Sequence, residues 1–392
     1  MANSIQSTAL EPDPSLDGDA PSGAQRLLRA IPVYGLVMLT VGLALLFSVL
    51  LPGTFPTLFN LRAILSDKSV IALLALAATI PMITGKIDLT VGYGIVLWHI
   101  LAISLQTRYG LPWPVAVLAV LACSAAAGVL NGLLVEKVQI DSFIATLGTG
   151  TVIYALAMWH SGGRQVVGEL PDGFLAVAGG NFLGLPIGAF YVLVVSLGLW
   201  LVTEFTPLGR ALYVIGANPK AAQLNGISVR RHVIGAFVAS GLLSGFAGVL
   251  LASRLQIGQA SVGLEFLLPA LVGAFLGSTT IRPGRVNVWG TLVGVAILAI
   301  GISGIQQFGG AFYVEPLFNG LTLLVSIGIA GWAQQRRNLS IKRRIAQRQL
   351  AFDTPGQLAP DAPGQLAFDT PGQLASEAPQ NPPQAADRAA TH

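Results

Sequence analysis

Between residues 31 and 333 the chain alternates apolar runs with short polar or glycine-rich steps. The runs cover 31–51, 67–84, 92–106, 113–135, 143–160, 189–205, 232–252, 265–280, 288–306 and 313–333. A membrane-crossing helix needs roughly 20 apolar residues, with a range of about 17–25. Runs near that length predict spanning helices, and shorter ones predict helices that are broken or buried inside a bundle. The pattern predicts an all-α integral membrane protein with about ten transmembrane helices. A longer glycine-rich step, 161–186, separates the fifth run from the sixth. Small-xxx-small spacing at Gly128/Gly132, Gly241/Gly245 and Gly290/Gly294 points to close helix packing in lipid. AGVL at 127–130 and again at 247–250 is a short internal echo and carries little weight.

Composition agrees with a lipid-dissolved chain. Of 392 residues, 53% are hydrophobic and 10% charged, with a mean hydropathy of +0.69. Soluble domains carry about 25% charged residues. The net charge of +4 reflects basic cytoplasmic loops in such a chain and does not suggest nucleic-acid binding. With the N-terminus inside, 17 of the 22 Lys and Arg fall on the cytoplasmic side, which predicts both termini cytoplasmic. Arg62, Lys68, Arg108, Arg164 and Arg254 fall outside. The first 25 residues hold four acidic groups and no Lys or Arg, the wrong start for a cleaved signal peptide. Residues 1–30 are expected to be a disordered cytoplasmic tail, 31–333 the transmembrane domain, and 334–392 a basic and then repetitive disordered tail. PGQLA recurs at 355–359, 363–367 and 371–375, in a composition too poor in apolar residues to form a core. Cys123, the single cysteine, allows no internal disulfide.

Reactive chemistry is sparse. No phosphate-binding GxxxxGK[ST], no HExxH and no GxSxG occurs, and the four histidines are far apart. No catalytic residue and no metal site is expected, and transport is a better class than catalysis. One polar interruption stands out: TGKIDLTVGYG, residues 84–94, between two long apolar runs. An ionisable group at bilayer depth costs roughly 2.5–3.5 kcal/mol on insertion scales, so it suggests function. Gly85, Gly92 and Gly94 predict a helix break around Lys86 and Asp88. Two readings stay open here: unwound backbone that serves a pathway, or a solvated Lys86–Asp88 pair at a cytoplasmic turn. A second stretch, 206–231, lies on the cytoplasmic side. Asn218 suits a helix cap, Pro219 the first helical position and Gly226 the position past the end. The enclosed two-turn helix is either an ordinary connector or a docking knob. A third stretch, 276–294, holds Arg282, Pro283, Gly284 and Arg285 in a basic turn.

These stretches, in this order, resemble the permease subunits of ribose-type ABC monosaccharide importers. Gly85-Lys86-Ile87-Asp88-Leu89-Thr90-Val91-Gly92 resembles the family's G-x-I-D-L-S-V-G. Asn131 to Val135 and Phe143 to Gly148 resemble N-G-x-L-V and F-I-A-T-L-G. Gly216, Asn218, Ala221, Ala222, Gly226 and Ile227 resemble the coupling segment G-x-N-x-x-A-A-x-x-x-G-I. Leu276 to Thr279 and Pro283 to Arg285 match a fourth motif in part. The resemblance covers roughly 31–333. It implies a multi-pass subunit of the bacterial inner membrane that pairs into a permease dimer. It further implies a cytoplasmic ABC ATPase carrying the ATP, and a periplasmic sugar-binding protein. This chain itself would hold no cofactor. The implied coupling residues are Gly216, Asn218, Pro219, Lys220, Ala221, Ala222 and Gly226; the implied pathway residues are Gly85, Lys86, Asp88, Gly92, Trp98 and His99. Lys86 stands where the family has a small residue, and Trp98, His99 and Arg282-Pro283 are further departures; these bear on the substrate more than on the mechanism. The alternative is a secondary transporter driven by a proton or sodium gradient. It would use a buried acid, with Asp88, Glu204 and Glu265 as the candidates. The sequence does not name the sugar.

Overall fold

The computed structural model of the chain describes residues 23–311, 313–325 and 328, with side chains from residue 34 onward. Of the expected N-terminal tail, 1–30, residues 1–22 lie outside the described residues and 23–30 form the start of a helix; the expected C-terminal tail, 334–392, lies outside them. The helices are α1 (Gly23–Leu50), α2 (Leu58–Ile83), α3 (Thr90–Thr107), α4 (Trp113–Glu136), α5 (Ser142–Ser161) and α6 (Asp172–Gly179). After a two-residue hairpin, β1 (Asn181–Phe182) with β2 (Leu185–Pro186), come α7 (Ile187–Phe205), α8 (Pro207–Ala217), α9 (Pro219–Leu224) and α10 (Val229–Leu255). A 3-10 turn at Leu264–Phe266 leads into α11 (Leu267–Leu276), followed by α12 (Val288–Gln307) and α13 (Val314–Val325).

Each predicted apolar run coincides with a helix. Seven of these helices, α2, α3, α4, α5, α7, α10 and α12, are long and apolar enough to cross a membrane. The runs at 31–51, 265–280 and 313–333 correspond to shorter apolar stretches, Tyr34–Leu50, Leu264–Leu276 and Val314–Val325. The run at 265–280 falls short for a local reason. The Ser278 and Thr279 hydroxyls donate to the Phe275 and Leu276 carbonyls and close the helix early.

The core is built on α2, α3 and α10. Residues 69–81 of α2 are all buried, as are most of α3 and the outer half of α10. The predicted glycine pairs sit at helix contacts. On α4, a side chain at Gly128 would strike the Phe237 carbonyl of α10, and one at Gly132 would strike Ile234. On α10, side chains at Gly241 and Gly245 would strike Ser124 of α4. These four missing side chains let the two helices pack antiparallel at close range. Gly290 and Gly294 of α12 lie in the same way against the Gly277 and Gly273 carbonyls at α11.

Charged groups gather at the two ends of the bundle. At one end Lys68 pairs with Glu315 at 3.2 Å, and Arg254 pairs with Asp67. At the other, Lys86 lies 3.8 Å from Glu136, and Arg282 and Arg285 share Glu204. The glycine-rich step 161–186 folds over the first end through α6. Buried Phe174 lies there, and the Ser253 hydroxyl donates to its carbonyl at 2.7 Å.

Candidate functional site

The predicted helix break is present, and it is shorter than the glycines suggest. α2 stops at Ile83 after Pro81, whose carbonyl accepts from the Thr84 and Lys86 amides at 2.9 and 3.1 Å. Gly85 takes φ +78°, a left-handed conformation that suits glycine at a helix end. Residues 84–89 are non-helical, and α3 begins at Thr90. Gly92 and Gly94 therefore belong to α3 and not to the break. Gly92 lets Leu267 approach, and Gly94 lets the Trp98 indole fold back over the helix.

Buried backbone outside regular structure must find hydrogen-bond partners. The break finds them on three helices. Ile87 N–H donates to Ser142 Oγ at 3.1 Å, and Leu89 N–H donates to Thr146 Oγ1 at 3.0 Å, both on α5. Asp88 is 1% exposed. Its Oδ1 accepts from the Thr90 amide at 2.9 Å and from the Thr90 hydroxyl; its Oδ2 accepts from Ser240 of α10 at 2.8 Å. Asn131 of α4 donates to the Thr90 hydroxyl at 3.0 Å and accepts from Thr149 of α5 at 2.6 Å. Ser244, one turn beyond Ser240, donates to the Val91 carbonyl at 3.0 Å. Burial in this connection between α2 and α3 pushes the Asp88 carboxyl up, against the lowering effect of its hydroxyl and amide donors.

The Lys86–Asp88 contact, one of the two readings left open, is not made. Lys86 turns to Glu136, and Asp88 turns inward, so the solvated-pair reading is overturned. The two side chains leave the break in different directions, and the lower free energy of a satisfied buried carboxylate decides where Asp88 goes. The break thus brings together three sequence motifs: Gly85–Gly92, Asn131 and its neighbours, and Phe143–Gly148 through Thr146. Ser142, Thr149, Ser240 and Ser244 were not singled out by the sequence reading. The SGLLSG spacing at 240–245 carries a signal for the last two, since it sets two hydroxyls and two glycines on one helical face.

A second non-helical stretch, 256–263, runs along the other part of α3. His99 is 0% exposed and holds it in place. Its Nε2 accepts from the Gln259 amide at 3.0 Å, and its Nδ1 lies 2.9 Å from the Ile95 carbonyl. Gly258 exchanges two backbone bonds of 2.8 Å with Val166. Trp98, also buried, packs its Cβ where Gly248 of α10 has no side chain. His99 and Trp98 are both buried, and their side chains hold the 256–263 stretch and pack against α10.

The 206–231 stretch folds as its caps predict. The Asn218 side chain accepts from the Ala221 amide at 3.1 Å, Pro219 opens α9, and Gly226 takes φ +77° past its end. Pro219, Lys220, Gln223 and Leu224 face outward; Ala221 is half-buried. Ala222 was expected to face a partner and does not. It is 0% exposed and packs against Val135, Ile215, Val229 and Phe237. A two-turn helix must bury one residue to stay seated, and here that residue is Ala222. The outward apolar group is Leu224, 90% exposed.

Gly216, at the end of α8, joins this stretch to the break. A side chain there would collide with the Ile83 carbonyl at the end of α2. A Cβ on Gly85 would in turn lie 3.8 Å from the Gly216 carbonyl. The 206–231 stretch and the break are thus in direct contact. The third stretch is tied to the same end by charge: Glu204 holds Arg282 and Arg285, and the Arg285 guanidinium stacks 3.4 Å from the Tyr213 ring centroid on α8.

The family model for the permease component of branched-chain amino acid transport systems matches residues 60–330. The chain belongs to this permease family. It is a multi-pass protein of the inner membrane, and the resemblance read from its motifs is borne out at family level. The permease is 32% identical to the Ribose import permease protein RbsC of Bacillus subtilis (strain 168) over 297 residues, which cover 76% of this chain and 90% of that one. It is 32% identical to the corresponding protein of Escherichia coli (strain K12) over 295 residues, covering 74% and 91%. It is 28% identical to the Fructose import permease protein FrcC of Rhizobium meliloti over 313 residues, covering 78% and 86%. No solved structure matches the chain.

Proposed function

We propose that this permease is the membrane-spanning subunit of an ATP-driven importer that carries a monosaccharide or related polyol inward. In this reading two permease copies form the pore, a cytoplasmic ATPase docks on α9, and an extracytoplasmic binding protein delivers the sugar. ATP belongs to the partner subunit. Ten helices enter or cross the membrane, with both termini in the cytoplasm.

The contact chain from α9 to the break carries the proposal. A partner ATPase moves a pore only through a contact that differs between its nucleotide states. α9 offers that contact through Leu224, Lys220 and Gln223. Behind it, Gly216 rests on Ile83, so a shift of α8 and α9 acts directly on the end of α2 and on the unwound segment. Sugar as the substrate class is supported by the names of the ribose and fructose relatives. A gradient-driven carrier would need an acid free to take the coupling ion. Asp88 already accepts three hydrogen bonds, Glu204 holds two arginines, and Glu265 accepts from the Gly263 amide at 2.9 Å.

The test is uptake of labelled ribose into proteoliposomes holding the full chain, with and without ATPase, binding protein and ATP. Accumulation is expected only with all three. Gradient-driven accumulation by the permease alone would sink the proposal. Leu224→Asp should abolish ATPase co-purification and uptake while membrane levels stay normal; retention of both would move the docking site elsewhere.

A further inference from the structure

A groove of about 410 Å³ opens on the flank of the bundle between α7, α8 and α10. Its walls are apolar: Ile80, Leu199, Val202, Leu212, Ala236 and Ala239. α7 is the least buried of the seven long helices, so this flank faces lipid. Gly235 lies in the groove, and a Cβ built on it would meet nothing within 4 Å, so the floor is open. Ser228, Arg231 and His232 line the same groove at the start of α10, which is its cytoplasmic end in the topology proposed above, on which this inference rests.

Arg231, like Arg210 and Arg230 near it, has no carboxylate partner among the described residues, in contrast to three arginines of the bundle ends. Arg254, Arg282 and Arg285 are each paired with a carboxylate. Arg231 is exposed, and among the described residues it has neither an ion pair nor a hydrogen bond. No acidic side chain lines the groove. An unpaired guanidinium therefore stands where an apolar slot meets the cytoplasmic interface.

We propose that this groove binds one anionic phospholipid, with an acyl chain against α7 and α10 and the phosphate on Arg231. Length supports the assignment. From Arg231 to Ala239 α10 rises about 12 Å at 1.5 Å per residue, close to the roughly 15 Å of hydrocarbon in one leaflet. Charge supports it too, because basic pockets between helices on the cytoplasmic side attract acidic headgroups. Ser228 and His232 flank the guanidinium and give the headgroup polar neighbours. A zwitterionic lipid would fill the slot equally well but would gain less from Arg231.

The test is native mass spectrometry of the full chain, purified in neutral detergent and titrated with palmitoyl-oleoyl phosphatidylglycerol or phosphatidylcholine. One tightly held phosphatidylglycerol is expected, with about fivefold preference over phosphatidylcholine. Arg231→Gln, a surface change that leaves the core untouched, should bring the two lipids to within about twofold of each other. Arg230→Gln, which lies outside the groove, should keep the preference. Gly235→Leu should reduce binding of both lipids, with size-exclusion chromatography checking the fold. Equal binding of the two lipids by the unaltered chain overturns the proposal. So does a loss of preference in Arg230→Gln as large as in Arg231→Gln, which would mean a diffuse basic surface. Displacement of phosphatidylglycerol by excess glycerol 3-phosphate also overturns it, since the site would then hold a soluble anion.

Discussion

Replacing Asp88 with alanine strands three donors at one stroke: the Thr90 amide, the Thr90 hydroxyl and the Ser240 hydroxyl. Their prospects differ. The Ser240 hydroxyl can rotate to a carbonyl one turn back on α10. The Thr90 hydroxyl keeps its bond from Asn131 at 3.0 Å but loses the acceptor for its own proton. The Thr90 amide is fixed by the backbone and has no second acceptor among the described residues. A buried donor without a partner costs roughly 1–3 kcal/mol. Two such donors cost roughly 2–6 kcal/mol, and removing a buried carboxylate returns part of that, so about 1–4 kcal/mol remains. Asparagine is a different perturbation. Its Oδ1 still accepts from Thr90, and its Nδ2 can donate to Ser240 Oγ, so every partner stays satisfied. Unfolding of the purified chain by dodecyl sulfate in mixed micelles, followed by circular dichroism, reads the difference. Asp88→Ala should lose about 1–4 kcal/mol and Asp88→Asn less than about 1 kcal/mol. Alanine within about 0.5 kcal/mol of the unaltered chain would refute the reasoning. Asparagine as weak as alanine would also refute it, because the ionised form would then be what the break requires.

Three further outcomes are expected. Ala222→Arg should unseat α9 by driving a charge into the Val135–Phe237 cluster, and limited proteolysis should cut near 218–226 sooner than in the unaltered chain. Gly241→Leu should lower the folded yield by size-exclusion chromatography, since its side chain meets the Ser124 carbonyl, a backbone atom that cannot step aside; overpacking of this kind costs roughly 1–3 kcal/mol. Gly198→Ala on α7, where the added carbon meets nothing, is the matched control and should be neutral or slightly stabilising. Glu204→Gln should leave Arg282 and Arg285 without their shared anion and loosen the 277–287 turn from α7, read as faster hydrogen exchange at those amides, while uptake falls without loss of membrane insertion.

Local chemistry was legible and distant chemistry was not. The caps of α9 depend on residues within a few positions of each other, and Asn218, Pro219 and Gly226 behave as their types require. The face that α9 buries depends on Val135 and Phe237, which lie far along the chain, so Ala222 looked free when it is packed. The break was legible from Gly85 and the charges, but its length was not. In a membrane helix glycine permits close approach as readily as it permits bending, and Gly92 and Gly94 serve approach. The partners of Asp88 were hidden for the same reason as the seat of α9. Ser240 is 152 residues away, whereas Lys86 is two away and carries the more obvious charge. Proximity in sequence favoured Lys86; the cost of leaving a buried carboxylate unsatisfied favoured Ser240 and Thr90. The same logic gives Gly216 its meaning. Read alone it is one small residue ahead of a short helix. In the fold it is the point where the stretch that carries α9 touches the end of α2, and any side chain larger than hydrogen would hold the two apart. The break and the stretch that carries α9 look like two independent motifs along the chain, and their contact rests on a side chain that is absent.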